Sequence, residues 1–294
     1  MSTHCQLHLH RTVVTLLALA TLGTGTSARA QLGLGLLPMR VELRLAPGQE
    51  SSGSLKLSSQ SGAKTRVRSE VLDFYIDDKA TPQFERDLPQ ESAISCKKWL
   101  SLNPMEIELD NGGYLNVRYT VRVPTDASEG SYNCAAGFTT LPSAELAAAP
   151  VGMRMAVRIV AAIYVQVGSP HVLGKLKEIK LEPLAAVSPV PLGSGADATA
   201  PPSSTSAGGW QAVVVMENRG KMYYRPTGKL EVLDESGKLV EGAGMPSLPV
   251  LRERDQRFIF PLKTKLEAGH YKLRAQVDIG TGEIQQGSAD VTVE

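Results

Sequence analysis

The residues of this chain that could do chemistry are few and widely spaced. Beyond residue 30 there are two histidines, His171 and His270, and two cysteines, Cys96 and Cys134. A zinc hydrolase usually needs three protein ligands, and these spacings do not provide them. No Gly-x-Ser-x-Gly nucleophile motif is present, and no Gly-rich phosphate loop precedes a helix. We therefore predict that the protein is not an enzyme, with no metal and no cofactor.

One acidic pair, Asp77-Asp78, stands out among carboxylates that otherwise alternate with basic residues along predicted strands. The pair falls in a predicted loop, where a solvated turn is the simpler interpretation. A weak calcium site is the alternative. It would need more oxygen ligands than the neighbouring residues supply.

The first 30 residues are typical of a cleaved secretory signal peptide. A weakly basic start precedes an apolar run at 13–20 that is too short to span a bilayer. Ser27-Ala28-Arg29-Ala30 ends in the A-x-A pattern of signal peptidase sites, so the mature protein is predicted to begin at Gln31. An uncleaved membrane anchor is the alternative, and the small residues at 23–27 favour cleavage. We expect an exported protein without membrane insertion, in the periplasm or outside the cell.

Export determines how the cysteines and the charge are interpreted. An even pair, Cys96 and Cys134, in an oxidising compartment suggests one disulfide, and two buried thiols are the alternative. Removing residues 1–30 takes away two arginines and no acids, which changes the formal net charge from +1 to −1. This near-neutral balance gives no reason to expect nucleic acid as a partner.

Alternation with a period of two is the dominant pattern of the remaining chain. It is clearest at Tyr114–Val123, where apolar residues occupy the odd positions, as in a half-buried antiparallel strand. Many short strands between turn residues, with almost no helical pattern, predict an all-β fold of two immunoglobulin-like β-sandwich domains. Tyr132 lies two residues before Cys134, the position of the tyrosine corner in such sandwiches.

The predicted organisation has three parts. A signal peptide at 1–30 is followed by a first immunoglobulin-like domain at 31–168 and a second immunoglobulin-like or fibronectin-like sandwich at 169–294. The stretch 185–209 is rich in Ala, Pro, Ser and Gly. We predict that it is a disordered loop, with Asp197 as its one charged residue, inserted in the second domain.

Ordered local motifs between residues 36 and 167 resemble the N-terminal domain of periplasmic pilus-assembly chaperones, which are built from immunoglobulin-like sandwiches. The motifs that carry this resemblance are Pro38-Met39-Arg40-Val41 with Pro47-Gly48, Trp99-Leu100-Ser101-Leu102-Asn103-Pro104, Glu129-Gly130-Ser131-Tyr132, and Leu141-Pro142. The second half of the chain is similar only to generic immunoglobulin or fibronectin modules.

The resemblance implies a partner and a set of contact residues. In that family a basic pair in the interdomain cleft anchors the carboxylate of a pilus subunit, and an alternating apolar strand completes the subunit's sheet by strand addition. By position, Arg40 and Arg158 correspond to the basic pair, with arginine in place of the family's second-site lysine. The apolar face would comprise Met153, Met155, Val157 and Ile159.

We therefore predict an exported chaperone-like protein that binds a secreted envelope or pilus subunit. The alternative is a structural or adhesive envelope protein with two immunoglobulin-like modules and no chaperone role.

Overall fold

A computed structural model describes residues 33–86, 93–141, 156–184 and 209–294. The predicted signal peptide, Met153, Met155 and the predicted loop at 185–209 (apart from Gly209) lie outside the described residues. Within them, strands dominate, and the single helical element is a short 3-10 turn at Lys97–Trp99. The predicted all-β fold of two immunoglobulin-like sandwiches is confirmed.

Among the described residues, the first sandwich contains ten strands in two sheets. The strands are β1 (Leu34–Leu37), β2 (Arg40–Leu45), β3 (Glu50–Ser59), β4 (Thr65–Ile76), β5 (Pro82–Glu85), β6 (Leu100–Asn103), β7 (Glu106–Leu109), β8 (Tyr114–Arg122), β9 (Gly130–Leu141) and β10 (Arg158–Val167). One sheet has the order β1-β3-β8-β6. The other has the order β2-β10-β9-β4-β5, with β7 also paired to β4. β1 and β2 are consecutive in the chain, so the polypeptide changes sheets between them.

The described part of the second sandwich has seven strands. They are β11 (Gly174–Pro183), β12 (Trp210–Asn218), β13 (Thr227–Asp234), β14 (Leu239–Gly244), β15 (Asp255–Pro261), β16 (Gly269–Asp278) and β17 (Ile284–Val293). A three-stranded sheet, β11-β12-β15, packs on a four-stranded sheet, β14-β13-β16-β17.

Alternation explains why these segments form strands, because every second side chain enters a core. In β8, Val117, Tyr119 and Val121 are buried and their neighbours face outward. In β9 nearly every residue is buried, because both faces of this central strand are covered. Cys96 and Cys134 form a disulfide with a Cα–Cα distance of 5.2 Å, and both lie in the first core.

Each sandwich contains a tyrosine whose hydroxyl bonds to a backbone carbonyl four residues earlier in the chain. The Tyr132 hydroxyl donates to the Ser128 carbonyl at 2.9 Å, the bond that defines a tyrosine corner. The Tyr271 hydroxyl donates to the Glu267 carbonyl at 3.1 Å, again four residues upstream. Each tyrosine is the third residue of its strand, β9 or β16. Both domains therefore contain a tyrosine corner, of which only the one at Tyr132 was predicted from the sequence.

Two local features, the start of β10 and the turn at Asp77, bear on the sequence predictions. Among the described residues, the strand that carries Ile159 of the predicted apolar face begins at Arg158, and Ala156 and Val157 before it are not part of the strand. Asp77 shapes the turn between β4 and β5: its carboxylate accepts bonds from the backbone amides of Lys79 and Thr81 and from the Gln83 side chain. These oxygens are used by the turn, which favours the solvated-turn interpretation.

Candidate partner-binding site

The most distinctive feature of the first sandwich is a stretch of β10 that is paired on one side only. From Arg158 to Val167, β10 pairs antiparallel with β9. On its other side β2 pairs in parallel, but only from Ala162 onward. Among the described residues, no strand pairs with the other side of β10 between Arg158 and Ala161. We call this stretch of backbone the open edge.

The hydrogen bonds show which backbone groups lie at the open edge. The Ala162 amide donates to the Met39 carbonyl, so Ala162 faces the β2 side. The Thr140 amide donates to the Val157 carbonyl, so Val157 faces β9. Since successive residues of a strand alternate in direction, the N–H and C=O groups of Arg158 and Val160 face the open edge.

Apolar side chains surround the open edge. Leu37 and Met39, at the switch between β1 and β2, are 68% and 56% exposed. Ile159 packs at the margin of the first core, and Val160 packs on the other face of the sheet. An unpaired edge beside exposed apolar residues is a template for another strand.

Arg40 begins β2 at the point where the open edge ends. Its Nε lies 3.3 Å from the Glu42 carboxylate, and both side chains are about half exposed. Register places Ala162 opposite Arg40 and Tyr164 opposite Glu42. Arg40 is thus on the outer face of the sheet beside Tyr164.

Arg158 lies at the other end of the open edge and on the same face. Its Nε is 3.3 Å from Glu70 and 3.1 Å from the Thr139 hydroxyl. Glu70 is buried and also binds Arg86 and Thr139. Burial raises the Glu70 pKa, but the bonds from Thr139 and Arg86 and the charge of Arg158 together bring the pKa below its usual value.

The structure does not place Arg40 and Arg158 side by side. Four positions separate Arg158 from Ala162, the residue opposite Arg40, which corresponds to about 13 Å along the strand. Each arginine binds a different carboxylate. Both arginines lie on the same face of the sheet, one at each end of the open edge. A joint role in binding stays a prediction.

The same outer face continues into a junction between the two sandwiches. A buried cluster contains Leu72, Phe74, Ile76, Ala135 and Tyr164 from the first and Tyr223 and Leu251 from the second. We call it the junction cluster. The rings of Tyr164 and Tyr223 lie 4.7 Å apart, and the Arg225 guanidinium lies 5.0 Å from the Tyr164 ring. Burial, followed by the negative charge of Glu42, raises the pKa of Tyr223, so this hydroxyl stays neutral.

Hydrogen bonds fix the same junction. The Ser131 amide donates to the Lys221 carbonyl at 2.8 Å, and the Ser131 hydroxyl accepts from the Tyr223 amide at 2.9 Å. Arg252 stacks on Tyr132 with its guanidinium 4.7 Å from the ring. The two sandwiches are therefore joined by both apolar and polar contacts.

The Cys96–Cys134 disulfide constrains β9 close to the junction. It fastens the segment before β6 to β9, where the Asn133 amide donates to the Ile94 carbonyl. Ile94 in turn packs against the junction cluster. The disulfide and the junction cluster therefore lie close together.

Sequence reasoning identified Arg40, Arg158, Val157 and Ile159 but missed the groups around them. Glu70 lies on another strand, and nothing local in the sequence indicates that it meets Arg158. The exposed residues Leu37 and Met39 could have been identified from the sequence, since two large apolar residues flank a proline between two short strands.

Within the described residues, no group of three or more His, Cys, Asp or Glu side chains could hold a metal ion. The search of those residues for a helix long and apolar enough to cross a membrane found none.

No protein-family model matches this chain, and no curated protein does. The chain is similar in structure to chaperones of fimbrial systems. The Escherichia coli chaperone DraB is 14% identical, with 89% of this chain and 98% of that chain covered and a TM-score of 0.40. The Pseudomonas aeruginosa CupB2 chaperone is 14% identical, with 87% and 97% covered and a TM-score of 0.40.

A third structure is the CsuC–CsuE chaperone–tip adhesion subunit pre-assembly complex of Acinetobacter baumannii Csu pili. The matched chain is 10% identical, with 88% of this chain and 97% of that chain covered and a TM-score of 0.41. These matches agree with the resemblance read from the sequence.

Proposed function

We propose that this protein is an exported, chaperone-like assembly protein of the periplasm. It binds a secreted envelope or pilus subunit by accepting or donating a strand at the open edge of β10. The single observation that carries the proposal is that β2 pairs with β10 only from Ala162, so that no strand among the described residues pairs with the outward backbone groups of Arg158 and Val160.

Strand addition needs both backbone groups and side-chain contacts. The open edge supplies the backbone, and an incoming strand there would lie in line with β2. Leu37, Met39 and Ile159 supply apolar surface beside it. Main-chain hydrogen bonds provide affinity in this mode of recognition, and the flanking side chains provide selectivity.

A proline substitution at the open edge tests strand addition without removing a hydrogen bond between β10 and β9. Because the Val160 amide faces the open edge, Val160→Pro removes a donor that bonds to no other described residue, and proline is tolerated at such edge positions. Val160→Thr is the matched control, because it keeps the amide and a similar shape.

We expect the wild type and Val160→Thr, purified from periplasm with an affinity tag, to co-purify one secreted subunit. Val160→Pro should lose at least about nine-tenths of it, since a lost hydrogen bond and a steric block each weaken binding. A thermal unfolding curve on each variant verifies that the fold is kept. Equal recovery with folded Val160→Pro would contradict strand addition at this edge.

The predicted basic pair has its own test in the same assay. Arg40→Ala together with Arg158→Ala should reduce recovery of the subunit if both arginines bind it. Unchanged recovery would remove the pair from the site while leaving the open edge in place.

A structural or adhesive role is the second candidate. The observation that favours it is that Ala162, not a basic residue, stands opposite Arg40, so an adjacent basic pair is absent at that register position. Recovery of the protein alone, or bound to isolated cell wall, would support this candidate.

A further inference from the structure

We infer that the outer face of the β1-β3-β8-β6 sheet binds an acidic glycan, a sugar chain that carries carboxylate groups. This sheet is not the one that contains β10, so the inference is independent of strand addition at the open edge. We call the surface the polar face. It consists of the outward-pointing residues of three neighbouring strands, β3, β8 and β6: Ser52, Ser54, Lys56, Ser101, Asn103, Asn116, Arg118, Thr120 and Arg122.

Register arranges these side chains in rows across the three strands. The alternate residues of β8 point outward because the residues between them enter the first core. Arg118 of β8 stands between Ser54 of β3 and Asn103 of β6. Neighbouring strands are about 4.8 Å apart, so one row is about 10 Å wide. The polar face is therefore a flat surface of hydroxyl, amide and cationic groups.

The polar groups of the central row are not used by the fold. Within the described part of the chain, the side chains of Ser54, Asn103 and Arg118 form no hydrogen bond and no ion pair. The next row differs, since the hydroxyls of Ser52 and Thr120 bond to each other at 2.8 Å. Exposed donors and acceptors without a partner in the protein are available to a ligand that is rich in hydroxyl groups.

The polar face carries more positive than negative charge. Its cations are Lys56, Arg118 and Arg122, and the last of these bonds to Glu50 at 2.6 Å. Lys56 lies 4.1 Å from the centre of the Tyr114 ring. Among the residues that the structure describes, neither Lys56 nor Arg118 pairs with a carboxylate. Two of the three cations are therefore left without a described acidic partner.

Other strand faces of the protein balance their own charges. Arg68 of β4 lies 3.6 Å from Glu106 of β7. In the second sandwich, Arg274 of β16 lies 2.6 Å from Glu231, the residue opposite it on β13. Because charges across an interface are arranged to be complementary, the unmatched cations of the polar face indicate a negatively charged partner.

The spacing of the cations indicates what kind of partner fits. Arg118 and Arg122 are four positions apart on β8, about 13 Å, and Lys56 lies opposite Asn116, on the other side of Arg118. Single cations at intervals suit a chain with one carboxylate at a time, and a planar guanidinium matches the two oxygens of each carboxylate. A protein partner would need an apolar centre, and none of the nine residues is apolar.

One end of the polar face leads into a groove of about 570 Å³. Thr120 and Arg122 line this groove together with Trp99 and Pro124. Trp99 is half-buried, and its ring centre lies 4.4 Å from that of Tyr132, which holds it in place. An aromatic ring beside hydroxyl groups offers a sugar both an apolar surface and hydrogen bonds. One sugar unit therefore occupies the groove, and the following units lie along the polar face.

Labelled oligomers test the inference on the purified protein. The probes are hexagalacturonate, which carries one carboxylate per sugar, uncharged maltohexaose, and hexaglutamate as an acidic peptide. Each carries a fluorophore at one end, and fluorescence anisotropy gives its dissociation constant. We expect hexagalacturonate to bind about ten-fold more tightly than either of the other two, since it alone offers both sugar hydroxyls and carboxylates.

Arg118→Ala should weaken the binding of hexagalacturonate about five- to ten-fold, because it removes a charge-assisted bond at the centre of the face. Arg44→Ala is the matched control. Arg44 is an exposed arginine of β2, on the other sheet of the same sandwich, and it has no ion pair among the described residues. Its replacement removes the same charge and should change binding less than about two-fold. Thermal unfolding and recovery of the co-purified subunit should be unchanged in Arg118→Ala.

Trp99 provides a second readout of the same site. The chain has two tryptophans, so Trp210→Phe leaves Trp99 as the single one. The emission of this variant should change as hexagalacturonate is added, with the dissociation constant that anisotropy gives. Unchanged emission at saturating hexagalacturonate would overturn the assignment of the groove to the site.

The other outcomes overturn the inference. Equal binding of hexaglutamate would make the polar face a surface for acidic protein, and equal binding of maltohexaose would show that its cations are not used. Equal losses in Arg118→Ala and Arg44→Ala would assign the binding to overall charge. If none of the three probes binds, the polar face has no glycan site, whereas the proposed strand addition at the open edge is unaffected.

Discussion

At the scale of single residues, the buried carboxylate of Glu70 holds Arg158 in place. Glu70 lies on a sheet face where a neighbouring side chain is missing at Gly137, and it binds Thr139, Arg86 and Arg158 at once. A buried carboxylate that loses such partners would be costly. The same bonds that stabilise Glu70 also fix Arg158 at the end of the open edge.

Replacing Glu70 by glutamine should destabilise the protein by about 1–2 kcal/mol at pH 7, because charge-assisted bonds are replaced by weaker ones. The Glu70 pKa is lower in the folded protein than its ordinary value of 4.5. Its stabilisation is therefore fully present above that value and is lost as pH falls through the folded pKa.

Chemical denaturation at several pH values measures this. The difference between wild type and Glu70→Gln should be constant from pH 7 to pH 5 and should shrink below about pH 4.5. Glu106→Gln, whose carboxylate is 58% exposed in its ion pairs, should cost less than about 0.5 kcal/mol. A Glu70→Gln difference that stays the same down to pH 3 would show that ionisation of Glu70 contributes nothing.

The two tyrosine corners offer a matched comparison between the domains. Tyr132→Phe removes a hydroxyl bonded to the Ser128 carbonyl at a site that is 6% exposed. Tyr271→Phe removes the equivalent bond to Glu267 at a more exposed site. We expect a loss of about 1–1.5 kcal/mol for the first and less than about 1 kcal/mol for the second. Equal losses in urea denaturation would mean that burial does not set the strength of this bond.

At the scale of elements, the switch between β1 and β2 creates the open edge. β1 pairs with β3 in one sheet, whereas β2 pairs with β10 in the other. The chain therefore reaches β10 only at Ala162. A continuous first strand would have covered the edge, as proteins commonly do with long strands that would otherwise be exposed.

The disulfide stabilises the segment between β5 and β6. Replacing Cys96 and Cys134 together by alanine opens a loop of 38 residues and should lower the free energy of unfolding by about 3–4 kcal/mol in the chain-entropy model. Dithiothreitol should destabilise the wild type by a similar amount and leave the double variant unchanged. Mass spectrometry of unreduced peptides from periplasmic protein should show the Cys96–Cys134 link, and free thiols there would contradict it.

The strands were the part of the fold that the sequence could predict, because alternation is a local property. Tyr114–Val123 is read correctly from its own residues, and so is the tyrosine corner before Cys134. The site was less accessible. The residue at which β2 begins to pair with β10 depends on where the chain changes sheets. The Glu70–Arg158 contact depends on a glycine on the strand between them. Both are non-local, and one sequence holds no local signal for them.

At the scale of the whole molecule, the junction cluster joins two sandwiches that each have their own core. Tyr223 and Leu251 from the second sandwich are buried against Phe74 and Tyr164 from the first. Ser131 adds bonds to Lys221 and Tyr223. We expect the two sandwiches to unfold together because of these shared contacts.

Tyr223→Ala removes the ring that stacks on Tyr164 and should cost about 2–4 kcal/mol. Calorimetry should then resolve two transitions in place of one, and small-angle scattering should give a larger radius of gyration. Tyr114→Ala, at a residue that is 62% exposed, is the control and should change neither. A single unaltered transition in Tyr223→Ala would show that the junction does not couple the sandwiches.

Amide hydrogen exchange tests whether β10 keeps an open edge for another strand. In the free protein the amides of Arg158 and Val160 should exchange rapidly, whereas those of Ile159 and Ala161, which face β9, should be protected. In the complex with the co-purified subunit, Arg158 and Val160 should become protected as well. Slow exchange of Val160 in the free protein would show that the edge is already paired, and no change on binding would show that the subunit does not add a strand there.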